Sequence, residues 1–372
     1  MKKVLIIQRT LPHYRVSFFN KLKQQLNNQG IELTLLYGKN ADSLKKDEVD
    51  IDWAIYIQNQ TFHLGKVELY WQPAIAHLAG KDLVIVEQAN KNIINYLLIG
   101  KRPFSKQKVA YWGHGRNRQT DYNDFRNKFK SFFLKQCDWW FAYTQKVKEF
   151  LISQSFPEDR ITCVQNAIDT SLLLQQFAAV SEESLDELKR QLGITSHQVG
   201  LFCGGIYKEK RINFLIEACD LIKKQVPDFQ IIVIGSGPDA YLVKEAAKQR
   251  EWVHYVGPKF GIEKVKYFKL SSLFLMPGLV GLAVLDSFAL QTPTITTKYP
   301  FHSPEIEYLE EGVNAMITED TVESYAKAVI EMLTYENKRK VLVEGCNRAA
   351  SKYTIEQMAD NFANGIIECL QN

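Results

Sequence analysis

The stretch Met276-Pro-Gly-Leu-Val-Gly-Leu-Ala-Val-Leu-Asp-Ser-Phe-Ala289, followed by Thr294-Ile-Thr-Thr297, reads as a strand end, a glycine-containing loop and a helix start. Gly278 and Gly281 let the backbone approach a ligand, and the amides that open a helix have no acceptor inside it. A helix N-terminus carries about half a positive charge, so an anion such as a diphosphate suits the loop Gly278-Leu279-Val280-Gly281-Leu282. Asp286, further along the helix, is placed to reach ribose hydroxyls. A nucleoside diphosphate is the ligand this pattern suggests.

A second loop carries matching chemistry. Strand-like Val199–Cys203 ends in Gly204-Gly205-Ile-Tyr-Lys208-Glu-Lys210-Arg211, with a helix beginning near Ile212. Glycines followed by cations at a helix start suit a phosphate pair, with Lys210 or Arg211 as point charge. The plain structural alternative is a solvated basic turn, which three clustered cations disfavour because a helix N-terminus prefers acids. Gly235-Ser-Gly-Pro238 ends another strand and is as well explained by a turn as by a ligand loop.

Nearer the N-terminus, His114 lies between Gly113 and Gly115 after a strand, where its imidazole can donate to a sugar hydroxyl or to developing charge. Arg9, His13 and Arg15 follow the first strand and enter a helix. In His302-Ser-Pro-Glu305, Pro304 suits the first turn of a helix and puts Glu305 near the same ligand, or makes it a simple cap. Asp50-Ile-Asp52 lies in a polar connector and reads as solvated surface, and no other spacing suits a metal.

Positioning these residues requires alternating strands and helices. Short apolar runs recur at Val4–Gln8, Glu32–Tyr37, Asp82–Val86, Val109–Trp112, Trp139–Tyr143 and Ile161–Val164. They recur again at Val199–Cys203, Gln230–Ile234, His254–Val256, Leu273–Met276 and Thr294–Thr297. Amphipathic segments between them predict parallel sheets with crossover helices. The expected fold is α/β, with two Rossmann-like, doubly wound domains, and ligands at the carboxyl ends of their strands in a cleft between them. The boundaries are an N-terminal domain over 1–175, a linker over 176–195, a C-terminal domain over 196–352 and a last helix over 353–372. No G-x-G-x-x-G opens the first strand–helix turn, which disfavours NAD chemistry.

Length and composition agree with two soluble domains: 372 residues, 46% hydrophobic and 24% charged. No apolar run approaches the roughly 20 residues of a membrane span, and Met1-Lys-Lys leads directly into a strand, so neither signal peptide nor transmembrane helix is expected. The six cysteines are scattered without a C-x-x-C pair, as expected for reduced thiols in a cytoplasm. The net charge of +4 conceals an asymmetry: residues 1–170 hold 25 Lys/Arg against 16 Asp/Glu, and residues 101–150 alone hold 12 against 4. Over 101–135 these cations interleave with aromatics, either as a solvated helix face or as a surface that rests on anionic lipid. No nucleic-acid motif accompanies the charge.

Taken in order, these motifs resemble a GT-B-fold glycosyltransferase similar to glycosyltransferase family 4, bacterial retaining enzymes of surface-polysaccharide, lipopolysaccharide and glycolipid assembly. The resemblance runs through Pro12-His-Tyr-Arg15, Trp112-Gly-His-Gly115, Gln165-Asn-Ala-Ile-Asp169, Gly204 to Lys210, Gly235-Ser-Gly-Pro238 and the opening motif with its sequel Asn314. It implies retaining, metal-independent transfer, without a cofactor, from a nucleotide-sugar (UDP-sugar favoured) to a hydroxyl of a glycan or polyprenyl-diphosphate-linked acceptor. His114, Lys210 and Asp286 would be catalytic. Gly204, Gly205, Arg211, Gly235, the 278–282 loop and Glu305 would hold the donor, while Arg9, His13, Arg15 and Gly113 would face the acceptor. The last helix would cross back onto the first domain, and the protein would work at the inner face of the cytoplasmic membrane as a peripheral protein. The family's first motif glutamate matches Gly278, its second matches Asp286, and its phosphate arginine matches Gly205. Those departures keep two other functions open, a non-catalytic nucleotide-sugar binder and a sugar-nucleotide epimerase of the same fold.

Overall fold

The structure, a computed structural model, is described for residues 1–39, 50–65, 67–115 and 132–372. The chain divides into two compact units, Met1–Asp169 with Ile355–Asn372, and Thr170–Thr354.

In the first unit, strands β1 (Lys2–Gln8), β2 (Ile31–Tyr37), β3 (Ile55–Tyr56), β6 (Leu83–Glu87), β7 (Lys108–Gly113), β8 (Trp139–Ala142) and β9 (Ile161–Cys163) form one parallel sheet. Their order is β3-β2-β1-β6-β7-β8-β9. Between β3 and β6 lies an antiparallel hairpin of β4 (Gln60–Leu64) and β5 (Val67–Trp71). Val4 to Ile7 and Leu83 to Val86 are almost fully buried, the continuous apolar pattern of strands covered on both faces. Helices α1 (Val16–Asn28), α2 (Ile93–Lys101) and α3 (Gln145–Ser153) supply the cover. β1 is flanked by β2 and β6, so the winding reverses between β1 and β6, the place where doubly wound sheets take ligands.

The second unit repeats this plan with β10 (Val199–Cys203), β11 (Gln230–Ile234), β12 (Val253–Gly257), β13 (Leu273–Leu275), β14 (Thr294–Thr297) and β15 (Ala315–Thr318). The parallel order β12-β11-β10-β13-β14-β15 reverses between β10 and β13. Its helices are α4 (Ser171–Ala179), α5 (Glu182–Leu192), α6 (Ile212–Gln225), α7 (Ala240–Gln249), α8 (Gly261–Leu270), α9 (Ala283–Ala289), α10 (Val322–Thr334) and α11 (Glu336–Lys352). The segment read as a linker over 176–195 holds the end of α4 and all of α5. Lys269 at the end of α8 donates to the carbonyls of Phe177 (3.2 Å) and Val180 (2.9 Å), which ties the α4 end into the second unit. Ser181 caps α5 by accepting from the Ser184 amide, as its acid-rich start suggests.

The last helix, α12 (Ile355–Gln371), belongs to the first unit. Its Phe362 stacks on Phe141 of β8 with ring centroids 4.2 Å apart and meets Phe18 and Trp112 edge-on. Such aromatic pairs are worth about 0.5–1.5 kcal/mol beyond the area they bury.

Candidate functional site

The carboxyl ends of β10 and β13 bring the two predicted phosphate loops together. Lys210 closes a 3-10 turn (Lys208–Lys210) and is only 6% exposed. Its ammonium donates to the Leu279 carbonyl at 2.6 Å, lies 3.7 Å from Met276 Sδ and sits 5.7 Å from the Tyr207 ring centre. Among the described residues no carboxylate pairs with it. Burial without a counter-charge lowers its pKa from 10.5 to about 8.

The 278–282 loop is fixed by its own backbone. The Leu279 amide donates to the Glu209 carbonyl at 2.8 Å, and the Thr297 hydroxyl donates to the Pro277 carbonyl at 3.0 Å. A Cβ on Gly278 would stand 2.2 Å from the Glu209 carbonyl oxygen, so this position cannot carry any side chain as the loop now lies. As the loop lies, it has no room at 278 for the glutamate that the family resemblance implies there. Gly235 plays a comparable part: at φ +144°, a Cβ there would meet the Gly204 carbonyl at 1.9 Å, which makes the Gly-Ser-Gly-Pro turn a backbone-packing device against the Gly204 loop. Gly205 and Gly281 have only side chains near their missing Cβ.

Three expected site residues occupy positions that revise their reading. Arg211 is in the left-handed region (φ +57°), ion-paired with Asp320 and stacked 4.2 Å over Phe214, so it serves the entry to α6 instead of standing beside Lys210 as a second phosphate cation. Asp286 on α9 pairs with Lys264 of α8 at 3.0 Å, which leaves one carboxylate oxygen outside that ion pair. α9 itself has seven residues, and two of the amides before it are already taken: Leu279 by Glu209 and Val280 by the His302 ring at 3.0 Å. The free-amide cradle read from sequence is correspondingly reduced, and Lys210 becomes the principal positive group. Glu305 is 3% exposed within a 3-10 turn (Pro304–Tyr308), not at the start of an α-helix.

In the first unit, the β1/β6 reversal gathers Arg9, with its guanidinium 4.6 Å from the Tyr70 ring, and Glu87 at the end of β6. Desolvation raises the Glu87 pKa against the opposing effect of Arg9, whose backbone amide, with the Asn92 side chain, donates to the carboxylate. His114 is exposed at the end of β7, its ring edge-on to Tyr143 at 4.3 Å, and Gly113 packs against Gln88 of the adjacent strand end. His13 is exposed in the turn that precedes α1. Arg15 is not. It is 4% exposed, donates to Asn166 Oδ1 at 2.6 Å and lies 5.0 Å from the Trp112 ring centre, so it is a core guanidinium rather than a group offered to an acceptor. Of the basic stretch 101–135, residues 116–131 lie outside the described residues; Arg102 pairs with Asp138 at 2.6 Å, and Phe104 is 90% exposed.

Sequence reading did not assign Lys264, Glu87 or His302. Lys264 reaches the site from a helix distant in sequence, and nothing local marks it. Glu87 had a signal, as the first polar residue after the Val84-Ile-Val86 run. His302 lay in a stretch already singled out for Glu305.

Two doubly wound units, each with polar loops at its sheet reversal, make up the GT-B architecture. Residues 17–172 match the family model described as Glycosyltransferase Family 4, and residues 197–335 match that of Glycosyl transferases group 1. The chain belongs to the family 4-like glycosyltransferases of the GT-B fold. It is similar to the alpha-monoglucosyldiacylglycerol synthase of Acholeplasma laidlawii (24% identity over 175 residues; 45% of this chain, 43% of the relative). It is also similar to spore coat protein SA of Bacillus subtilis (23% over 231 residues; 56% of this chain, 60% of the relative). The matches thus span less than two thirds of each of these relatives. Among solved structures it resembles Anabaena HepE in complex with UDP, with a TM-score of 0.71 and 14% identity over 99% of this chain and 100% of that one.

Proposed function

We propose that the protein moves a sugar from a nucleoside-diphosphate sugar, UDP-sugar first among them, to a hydroxyl of a glycan or lipid-linked acceptor, with retention and without a metal. The observation that carries this reading is Lys210. A buried ammonium that among the described residues is held only by neutral groups, beside a glycine loop at a sheet reversal, is costly unless an anion completes it. A diphosphate supplies that charge, and it becomes more negative as the glycosidic bond to the sugar breaks. A fixed cation there stabilises the transition state more than the ground state, a contribution of about 3 kcal/mol for a single donor in other enzymes. Asp286 would take ribose through the oxygen outside its Lys264 pair. Arg9, Glu87 and His114 at the strand ends of the first unit are the polar groups on offer to an acceptor. The HepE–UDP structure supports UDP as the nucleotide, and the glycolipid synthase supports a lipid-linked acceptor and work at a membrane surface. A role in cell-surface polysaccharide assembly rests on the family resemblance.

Release of UDP from UDP-glucose and related donors, with and without an acceptor panel, tests the reading. Lys210→Ala is expected to abolish turnover while the protein stays folded; near-normal turnover by that variant would remove Lys210 from the mechanism. The packed Gly278 favours one other function, a nucleotide-sugar binder without transfer. Donor binding by calorimetry with no turnover across the panel would select it.

A further inference from the structure

The peptide group between Leu279 and Val280 is gripped from both sides. Its carbonyl accepts from Lys210 Nζ at 2.6 Å, and its N–H donates to His302 Nδ1 at 3.0 Å. A trans peptide is planar, with its C=O and N–H on opposite edges, so neither contact can move without moving the other. His302 is 5% exposed, and its second nitrogen, Nε2, lies 2.8 Å from the Thr297 carbonyl. A carbonyl can only accept, so Nε2 carries the proton and Nδ1 is the bare acceptor that the Val280 amide requires. The result is one hydrogen-bonded chain: Lys210 ammonium, the 279–280 peptide, the His302 imidazole, and the Thr297 carbonyl at the end of β14. Successive bonds in such a chain polarise and strengthen one another. Val280 is fully buried, so water cannot replace the ring as its partner. The same turn is tied a second time by the Ser303 amide, which donates to the Val280 carbonyl at 3.0 Å.

We propose that His302 is a positioning residue for Lys210: through the 279–280 peptide it sets where the ammonium meets the diphosphate of the bound nucleotide. Gly278 gives this part of the loop no side chain with which to anchor itself, and the imidazole holds it from the far side. The inference rests on the nucleotide-sugar reading above.

The test uses the full chain and UDP as the probe, with affinity from calorimetry and folding from thermal denaturation. In His302→Asn the amide oxygen can occupy the Nδ1 position and still accept from Val280. In His302→Gln the longer amide reaches Thr297, but the acceptor for Val280 is lost. The expected result is UDP affinity within a few-fold of wild type for His302→Asn and at least a tenfold loss for His302→Gln, with similar melting temperatures for the two. Unchanged affinity in His302→Gln, or equal losses in both variants, would overturn the positioning role. A wild-type chain that binds neither UDP nor UDP-sugars would instead overturn the nucleotide reading, and this inference with it.

Discussion

At the scale of single residues, the state of Lys210 makes the site sensitive to pH. Its folded pKa, lowered by burial to about 8, lies below the ordinary 10.5, so folding favours the neutral amine. Below about pH 8 both folded and unfolded chains carry the proton, and the folded state bears the cost of a buried charge. Between about pH 8 and 10.5 the folded state has released it while the unfolded state has not, so stability rises with pH over that window. Melting temperatures of wild type relative to Lys210→Met should rise across it. Nucleotide binding runs the other way. A diphosphate needs the charged form, so UDP affinity in the wild type should weaken above about pH 8, and Lys210→Met should lack that inflection. Calorimetry across pH 6.5–9.5 (a window set about the ~8 midpoint) reads both the inflection and its absence.

At the scale of elements, the loop between β13 and α9 is the part that decides the site. Gly278 lies against the backbone of residues 209–210, so Gly278→Ala forces a 2.2 Å approach to the Glu209 carbonyl unless the two loops separate. Overpacking of this kind typically costs about 1–3 kcal/mol. The variant is expected to lose that stability in urea denaturation of the second unit and to bind UDP more weakly; unchanged values would mean the loop moves freely. Placing the family's glutamate at 278 should be no better, because the Cβ itself is the obstacle. Most of this architecture was legible from sequence: every strand read from an apolar run has a counterpart, within a residue or two at its ends. The β4–β5 hairpin went unread because its residues are exposed or half-buried, and its apolar run, Leu69-Tyr70-Trp71, is short. β3 is two residues long, too short for a pattern to show, and β15 is an edge strand that is only half-buried after Ala315.

At the scale of the molecule, charge and chain connectivity matter most. The excess of basic residues falls in the N-terminal half, and Phe104 projects with 90% of its surface exposed close to Lys101 and Lys106. Aromatic rings beside cations suit the interface of an anionic bilayer, where each cation near the surface contributes about 1 kcal/mol. Among the described residues no helix is long and apolar enough to cross a membrane. Co-sedimentation with phosphatidylserine-containing vesicles at low salt, lost as salt rises, is the expected behaviour; no sedimentation at low salt would leave a solvated face as the better account. Arg102, held by Asp138, should contribute little to this binding. The chain returns at its end to the first unit through α12, where Phe362 closes a cluster with Phe18, Trp112 and Phe141.

By itself the sequence determined the alternation of strands and helices, the two doubly wound units and the glycine loops, and it marked Lys210 as a candidate phosphate cation. These follow from local periodicity and from residue types whose chemistry is fixed wherever they stand. Only the tertiary structure decided what each charged group faces. Arg15 and Arg211 looked as available as Lys210 in the sequence, yet one is enclosed by aromatic rings and the other is claimed by Asp320. The ties of Asp286 to Lys264, and of Lys210 to His302 through one peptide, join residues 22 and 92 positions apart. Burial and partnership are properties of the packed chain, and spacing along the sequence does not encode them.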